Sequence, residues 1–305
     1  MKWLNYLLML FIFFVSCNNQ KSEKTIIDFN EKAIIDTDNK NKDNRPIYIA
    51  IASMTSPRET FTYYSQLIKY LADKIGKTIL IKQKKTYDEV NELLKNGEVD
   101  FAFICSGAYV GLSQKRDVDL LVAPVINDKT YYQAYIISNK NLKIEKFEDL
   151  KDFSFAFTDP LSNTGYFYPK KLLKELETNK NLFFSKTVYT YGHDISIHMV
   201  NKGVIDGASV HGLIYDFIER THPESIKNIK IIQKSEWFGM PPVVTPKSLD
   251  KEVYKKYQQL FLQINQDSIG RDILKKLKIE KFSVMQDSIY NNVRKLKEYV
   301  EGKNH

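Results

Sequence analysis

Cysteine and histidine are scarce in this chain: two Cys, Cys17 and Cys105, and five His in 305 residues, one of them the last. Zinc-ligand spacing is missing, since His193 and His198 stand five apart, His211 is remote, and nothing has the His-Glu-x-x-His form. No Gly-x-Ser-x-Gly marks a nucleophile on a strained turn. The glycines of "VNKGVIDG" and "ICSGAY" build neither a Walker loop nor a dinucleotide fingerprint. Lys and Arg number 45 against 37 Asp and Glu, a net charge of +8, but they are scattered. Without a dense basic block to track a phosphate backbone, nucleic acid is not an expected partner. Beyond residue 16 no run reaches 18 uninterrupted apolar residues. No metal or cofactor is expected, and no constellation asks for catalysis.

What is present begins with "MKWLNYLLMLFIFFVSC". Lys2 supplies a positive start, and residues 3–16 are almost wholly apolar, short of the roughly 20 a spanning helix needs but suited to a signal-peptide core. The closing "FVSC" resembles the bacterial lipobox, which implies cleavage before Cys17 and acylation of its thiol, the one side chain nucleophilic enough to form the thioether. Residues 1–16 are therefore expected to be a lipoprotein signal peptide, and residues 17–45, polar and rich in Asn, Lys and Asp, a lipidated Cys17 with a flexible tether. Two acyl chains anchor stably where one is marginal. With Cys17 lipidated, Cys105 has no disulfide partner and is expected as a buried, inert thiol. The mature chain is expected to be extracytoplasmic, held on a bacterial membrane (periplasm or cell surface) by its lipid.

From "RPIYIAIAS" onward, strand-like and helix-like segments alternate. Strands are expected at 47–53, 78–82, 99–104, 120–125 and 135–138, with helices at 58–74, 87–96 and 107–114. Tyr87, Val90, Leu93 and Leu94 fall on one helical face. A second series follows: strand 153–157, helix 164–177, strand 187–190, helix 195–202, strand 204–210, helix 211–220 and strand 228–235. Helical segments near 251–264, 268–277 and 286–301 close the chain. The alternation argues for an α/β architecture. The second series lies inside a chain that returns, which suggests two lobes: 46–140 with 236–305, and 141–235.

The stretch "TDPLSNTGYFYP", residues 158–169, stands where a strand gives way to a helix. Asp-Pro favours a tight turn, and Ser162, Asn163 and Thr164 fall at the helix start. That end presents unpaired N–H groups and about half a positive charge. Two readings follow: ordinary capping, or an anion site at which hydroxyl and amide donors surround the ligand and Gly165 permits close approach. Further on, "TYGHDIS" places His193 and Asp194 in another strand-to-helix turn, and "MVNKGVIDGASV" follows.

This order resembles the periplasmic phosphate-, phosphite- and phosphonate-binding proteins of ABC importers, in which a DPxSxSG-like turn, a GH(D/E)-type turn and a VDAA-like strand recur. "IASMTSPRE", "KTYDEV", "VDFAFICSGAYV" and "FGMPPVV" extend the likeness over about residues 46–300. It implies a two-lobed periplasmic binding protein fold of type II-like form, each lobe a mixed sheet flanked by helices, with the ligand in the interlobe cleft. By the same resemblance Ser162, Asn163, Thr164 and Gly165 cradle the phosphorus oxygens, His193 donates an imidazole N–H, and Tyr87 brings its phenol from the other lobe. Asn163 replaces a customary hydroxyl. Ile104 stands at an expected polar place, leaving Ser106 or Tyr109 as substitutes and Tyr132 as a weaker one. His198 and His211 read as structural. Acids that would hold a ligand ammonium are replaced by Leu213 and Pro241, with Glu236 and Asp216 as distant substitutes. The implied partners are a small phosphorus oxyanion, an ABC permease and the membrane through the N-terminal lipid, for a monomer that is not an enzyme. The alternatives are a sensor for another small anion, a transferase on a related fold, or a structural envelope lipoprotein.

Overall fold

The computed structural model describes residues 45–302. The expected signal peptide, the lipidated Cys17 and the tether up to residue 44 lie outside the described residues. In the first lobe β1 (Ile47–Ile51), β2 (Ile79–Lys82), β3 (Phe101–Phe103) and β4 (Val118–Val125) alternate with α1 (Pro57–Ile75), α2 (Tyr87–Lys95) and α3 (Ser106–Gln114). A short β5 (Tyr131–Tyr132) leads to the second lobe. There β6 (Ala134–Asn139), β7 (Ser154–Phe157), β8 (Lys186–Tyr189), β9 (Gly207–His211) and β10 (Ile229–Lys234) are joined through α4 (Tyr168–Glu175), α5 (Lys180–Phe183), α6 (His193–Asn201) and α7 (Gly212–Thr221). The return runs through β11 (Phe238–Gly239) and β12 (Val243–Pro246) to α8 (Lys251–Gln263), α9 (Ser268–Leu277), β13 (Lys281–Ser283) and α10 (Asn291–Glu301).

Two mixed sheets result, ordered β13-β4-β12-β3-β1-β2 and β10-β6-β9-β7-β8, with a two-stranded β11-β5 ribbon between them along the chain. The runs "IYIAI" and "FAF" are apolar throughout because β1 and β3 are parallel neighbours covered on both faces, with side chains such as Ile49, Leu67, Phe101 and Phe261 in one core. In the second lobe Ile137, Ala156, Ile197 and Val210 form a matching core. A third cluster, including Val90, Leu94, Phe155, Phe157 and Tyr290, draws on both lobes.

The sequence reading ends the first lobe at residue 140, but β6 pairs antiparallel with β9 and β10 and so stands in the second sheet. Order along the chain does not choose a strand's partner; register with β9 does, from Ala134 opposite His211 to Ser138 opposite Gly207. The helix expected from 164 starts as one π turn, Asn163–Phe167, before continuing as α4. β13 and α5 are too short to leave a periodic signal and were not legible.

Candidate ligand-binding site

Tyr87, Ser106 and His193 each occupy the first position of a helix, and Ser162 is the cap before a fourth. Local chemistry sets these starts. Thr86 accepts the Glu89 N–H while the Glu89 carboxylate accepts the Thr86 N–H, a reciprocal cap that fixes Tyr87 at the head of α2. Ser162 Oγ accepts the Gly165 N–H at 3.0 Å, and the Ser162 carbonyl accepts from both Tyr166 and Phe167. The second of these bonds spans five residues and makes the π turn, a form frequent at functional sites. The capping reading of "DPLSNTG" is therefore correct for Ser162 Oγ as an acceptor, which leaves its own O–H to donate elsewhere.

Two of the helix-end amides are claimed within the protein. The Tyr87 N–H donates to Asp159 Oδ2 at 3.0 Å, and the His193 N–H donates to the Met54 carbonyl at 2.9 Å. Each of these bonds joins one lobe to the other, as does Ser56 N–H to Asp194 Oδ1 at 2.9 Å. The start of α3 abuts the turn directly: a methyl at Gly107 would lie 2.4 Å from the Leu161 carbonyl oxygen and 2.7 Å from the Asn163 nitrogen. Asp159 has both carboxylate oxygens engaged, Oδ1 by the Leu161 N–H, and burial raises its pKa.

Several buried side-chain atoms are unclaimed. Tyr87 Oη, Thr158 Oγ1, Asn163 Oδ1, Thr164 Oγ1 and His193 Nε2 are all buried and have no hydrogen-bond partner within the protein. Ser162, Asn163, Thr164 and His193 are fully buried. Their proximity is shown by what they touch. The Ser162 hydroxyl lies beside the Tyr87 phenol, outside hydrogen-bond geometry. Ser209 donates to the Thr164 carbonyl, and two residues on, along the same face of β9, the His211 N–H donates to His193 Nδ1 at 3.1 Å. That last bond settles the tautomer: Nδ1 is the acceptor, so the proton is on Nε2, which is a donor. Burial holds the His193 pKa down to about 3, so this donor is neutral at physiological pH. Burial likewise raises the Tyr87 pKa well above its ordinary value, and the phenol keeps its proton.

Behind this group stands a supporting layer. Ser106 Oγ and Tyr132 Oη share a hydrogen bond of 2.8 Å, and Asn163 Nδ2 donates to Tyr132 Oη at 3.3 Å. The Tyr132 ring stacks on His211, with centroids 4.2 Å apart. Tyr132, the weaker sequence candidate, is thus the post that links Ser106 to Asn163. His211, read as structural, is buried against His193, with centroids 5.8 Å apart, and its Nδ1 has no partner within the protein. Thr158 carries no motif of its own and was missed. It is identified by Gly165, because a methyl there would lie 1.8 Å from Thr158 Oγ1. That contact leaves no room for a side chain at Gly165.

Tyr109 is not in this group. Its hydroxyl donates to Asp287 Oδ1 at 2.6 Å and its ring packs on Tyr290 at 4.6 Å, while Arg294 holds the same carboxylate. One helical turn past Ser106, its side chain turns toward α10. Glu236 pairs with Lys171 at 2.8 Å, and Asp216 accepts from the Tyr135 hydroxyl at 3.3 Å, so neither joins the site. Cys105 is a buried free thiol whose pKa burial raises. Among the described residues no group of three His, Cys, Asp or Glu side chains is placed to hold a metal ion.

The arrangement is an enclosed group of uncharged hydroxyl, amide and imidazole side chains contributed from both lobes. Residues 49–290 match the family model of the phosphonate periplasmic substrate-binding proteins of ABC transporters. The chain is 22% identical over 262 residues to the phosphonates-binding periplasmic protein of Escherichia coli, covering 83% of this chain and 76% of that one. Its fold is similar to the binding protein component of an ABC phosphonate transporter from Pseudomonas aeruginosa, with a TM-score of 0.80, 21% identity and coverage of 85% and 87%. It is also similar to PhnD1 from Prochlorococcus marinus, solved in complex with methylphosphonate, with a TM-score of 0.76, 14% identity and coverage of 85% and 99%. With the family model spanning both lobes and every element of the site, the chain belongs to the periplasmic phosphonate substrate-binding proteins of ABC transporters.

Proposed function

We propose that this protein captures a small phosphorus oxyanion (phosphate, phosphite or a short alkylphosphonate) between its lobes and presents it to an ABC permease. The observation that carries this reading is the set of buried polar side-chain atoms, drawn from both lobes, that have no partner within the protein. Leaving a buried polar group unpaired costs about 1–3 kcal/mol, so several together call for a ligand that satisfies them. Tyr87, Thr158, Ser162 and Thr164 donate O–H and His193 donates Nε2–H. Ser106 acts through Tyr132. A half-turn of the Asn163 amide gives its oxygen to the Tyr132 hydroxyl and turns its NH2 toward the anion.

Micromolar affinity needs about 8 kcal/mol. Hydrogen bonds to a charged acceptor supply roughly 1.5–3 kcal/mol each, so five or six suffice against ordering costs without a buried cation. A neutral cage also lets the anion leave, as a carrier requires. Both Asp159 oxygens accept backbone N–H groups, which ties this carboxylate to the interlobe contact. Lobe closure then depends on the ligand. A monomer anchored outside the cytoplasm through lipid on Cys17 completes the reading.

The test is a thermal-shift and calorimetric screen of ligand-free protein with phosphate, phosphite, methylphosphonate, 2-aminoethylphosphonate and sulfate. At least one phosphorus anion raises the melting temperature, as mass action requires of a ligand bound to the native state, and the gain shrinks in Thr164→Val and His193→Gln. No response to any of them overturns the proposal. Cys17→Ser moves the protein from the membrane to the soluble fraction; unchanged fractionation refutes the anchor.

A further inference from the structure

The run "SPRE" that opens α1 has the form of a capping box, Ser-x-x-Glu. In such a box the cap hydroxyl takes an N–H of the first turn, and the Glu three residues on takes the cap residue's own N–H. α2 makes this exchange in full between Thr86 and Glu89. α1 does not. Ser56 Oγ accepts none of the helix N–H groups, and the Ser56 N–H donates at 2.9 Å to Asp194 Oδ1, from the first turn of α6 in the other lobe. The carboxylate that the local pattern assigns to this amide, Glu59, is supplanted by one 138 residues from the donor.

At α2 the carboxylate from the second lobe is added rather than substituted. Asp159 Oδ2 accepts the Tyr87 N–H at 3.0 Å while Glu89 keeps the Thr86 N–H. At α1, by contrast, two carboxylates compete for one donor. Both are at hand: Glu59 and Asp194 line the same cleft between the lobes, and both are partly exposed. The residue before Asp194 is His193, whose N–H crosses to the Met54 carbonyl at 2.9 Å. The bond from Ser56 therefore forms where a cage residue of the second lobe meets the first.

Resting on the reading of the cage as the ligand site, we infer that Glu59 and Asp194 are alternative acceptors for the Ser56 N–H, and that their exchange sets the balance between parted and closed lobes. Asp194 holds the amide when the lobes shut. As they part, rotation of the Glu59 side chain completes the capping box and keeps the start of α1 satisfied. Neither carboxylate touches the ligand. Each is a positioning residue, acting through the fraction of closed form, which scales the apparent Kd of every ligand alike.

The experiment is calorimetry on the full chain with phosphate, phosphite and methylphosphonate, together with small-angle scattering of the ligand-free protein. Asp194→Ala removes the acceptor of the closed form and should weaken Kd about 10-fold, as loss of a charge-assisted bond does, by one factor for every anion bound. Glu59→Ala removes the acceptor of the parted form and should tighten Kd about 2-fold or more, as loss of a cap requires. Asp194→Asn keeps an acceptor oxygen and recovers most of the loss. In Ser56→Pro the shared N–H is gone, while the φ of −55° already suits proline. In that background neither alanine change should move Kd beyond about 2-fold, since the two carboxylates act through the one amide. A residue that merely stabilises the fold gives neither the opposite signs nor the dependence on Ser56. Shifts of the same sign, or an unmoved Kd in either alanine variant, overturn the exchange and leave the oxyanion site standing. A shift confined to one anion makes the residue a ligand contact and overturns it too. If the unaltered chain binds none of the anions, the reading of the cage fails. The ligand-free radius of gyration, larger in Asp194→Ala and smaller in Glu59→Ala, then decides the exchange alone, and equal radii overturn it.

Discussion

Tyr87→Phe separates a ligand contact from a packing residue more sharply than any other single change. The ring is 1% exposed and remains in the variant; what goes is one hydroxyl. Within the protein that hydroxyl has no hydrogen-bond partner, so its deletion breaks no native bond. The ligand-free melting temperature should hold or rise, since a buried hydroxyl without a partner costs about 1–3 kcal/mol and 1 kcal/mol corresponds to about 2–4 °C at this size. With the anion present, the same hydroxyl makes a charge-assisted bond of about 1.5–3 kcal/mol. Its loss weakens Kd by about 10- to 150-fold, read by calorimetry with whichever phosphorus anion binds best. Effects of opposite sign on stability and affinity are the signature. A melting temperature lowered by more than about 4 °C with unchanged Kd would refute the reasoning, because it would mean that the phenol holds the fold together.

Gly107→Ala places a methyl 2.4 Å from the Leu161 carbonyl across the interlobe contact, so it should weaken ligand affinity at least 10-fold, a loss of about 1.4 kcal/mol, and suppress the ligand-dependent fall in radius of gyration by small-angle scattering. Each lobe should keep its stability, since alanine suits a helix better than glycine; normal compaction would count against closure through this contact. The pH dependence follows from His193, whose folded pKa is about 3 against roughly 6.5 unfolded, and from His211, shifted down in the same direction by burial. Both contribute stability that is fully present above about pH 6.5 and lost as the pH falls toward the folded values, at up to about 1.4 kcal/mol per pH unit each. Denaturation at pH 7.5 and 5.5 measures the slope, and His193→Gln should remove about half of it; a flat profile contradicts neutral burial. Tyr109→Phe breaks the bond to Asp287 and should lower stability by about 1–2 kcal/mol without changing Kd, and a loss of affinity would return Tyr109 to the site.

The features legible in the sequence were local ones. Thr86 with Glu89, Ser162 with Gly165, and Gly192 ahead of His193 set helix starts through contacts a few residues long, so the candidates Tyr87, Ser162, Asn163, Thr164 and His193 could be named from spacing and family resemblance. Apolar periodicity likewise marked most strands and helices. Ser106 and Tyr109 could not be told apart, because both belong to α3 and only the packing of that helix on α10 directs Tyr109 away to Asp287. Thr158 went unnamed and His211 read as structural for a related reason. Their placement comes from Gly165 and from the register of β9 beside β6 and β7, not from neighbours in the chain.

By itself, then, the sequence determined where helices begin, which residues stand at their heads and which family the order of turns belongs to, since capping and periodicity act over a few residues. Tertiary structure alone decided that the first amides of α2 and α6 serve the opposite lobe. Such contacts join groups as far apart as Tyr87 and Asp159, separated by 72 residues, and no short-range pattern encodes which distant carbonyl or carboxylate will claim an amide.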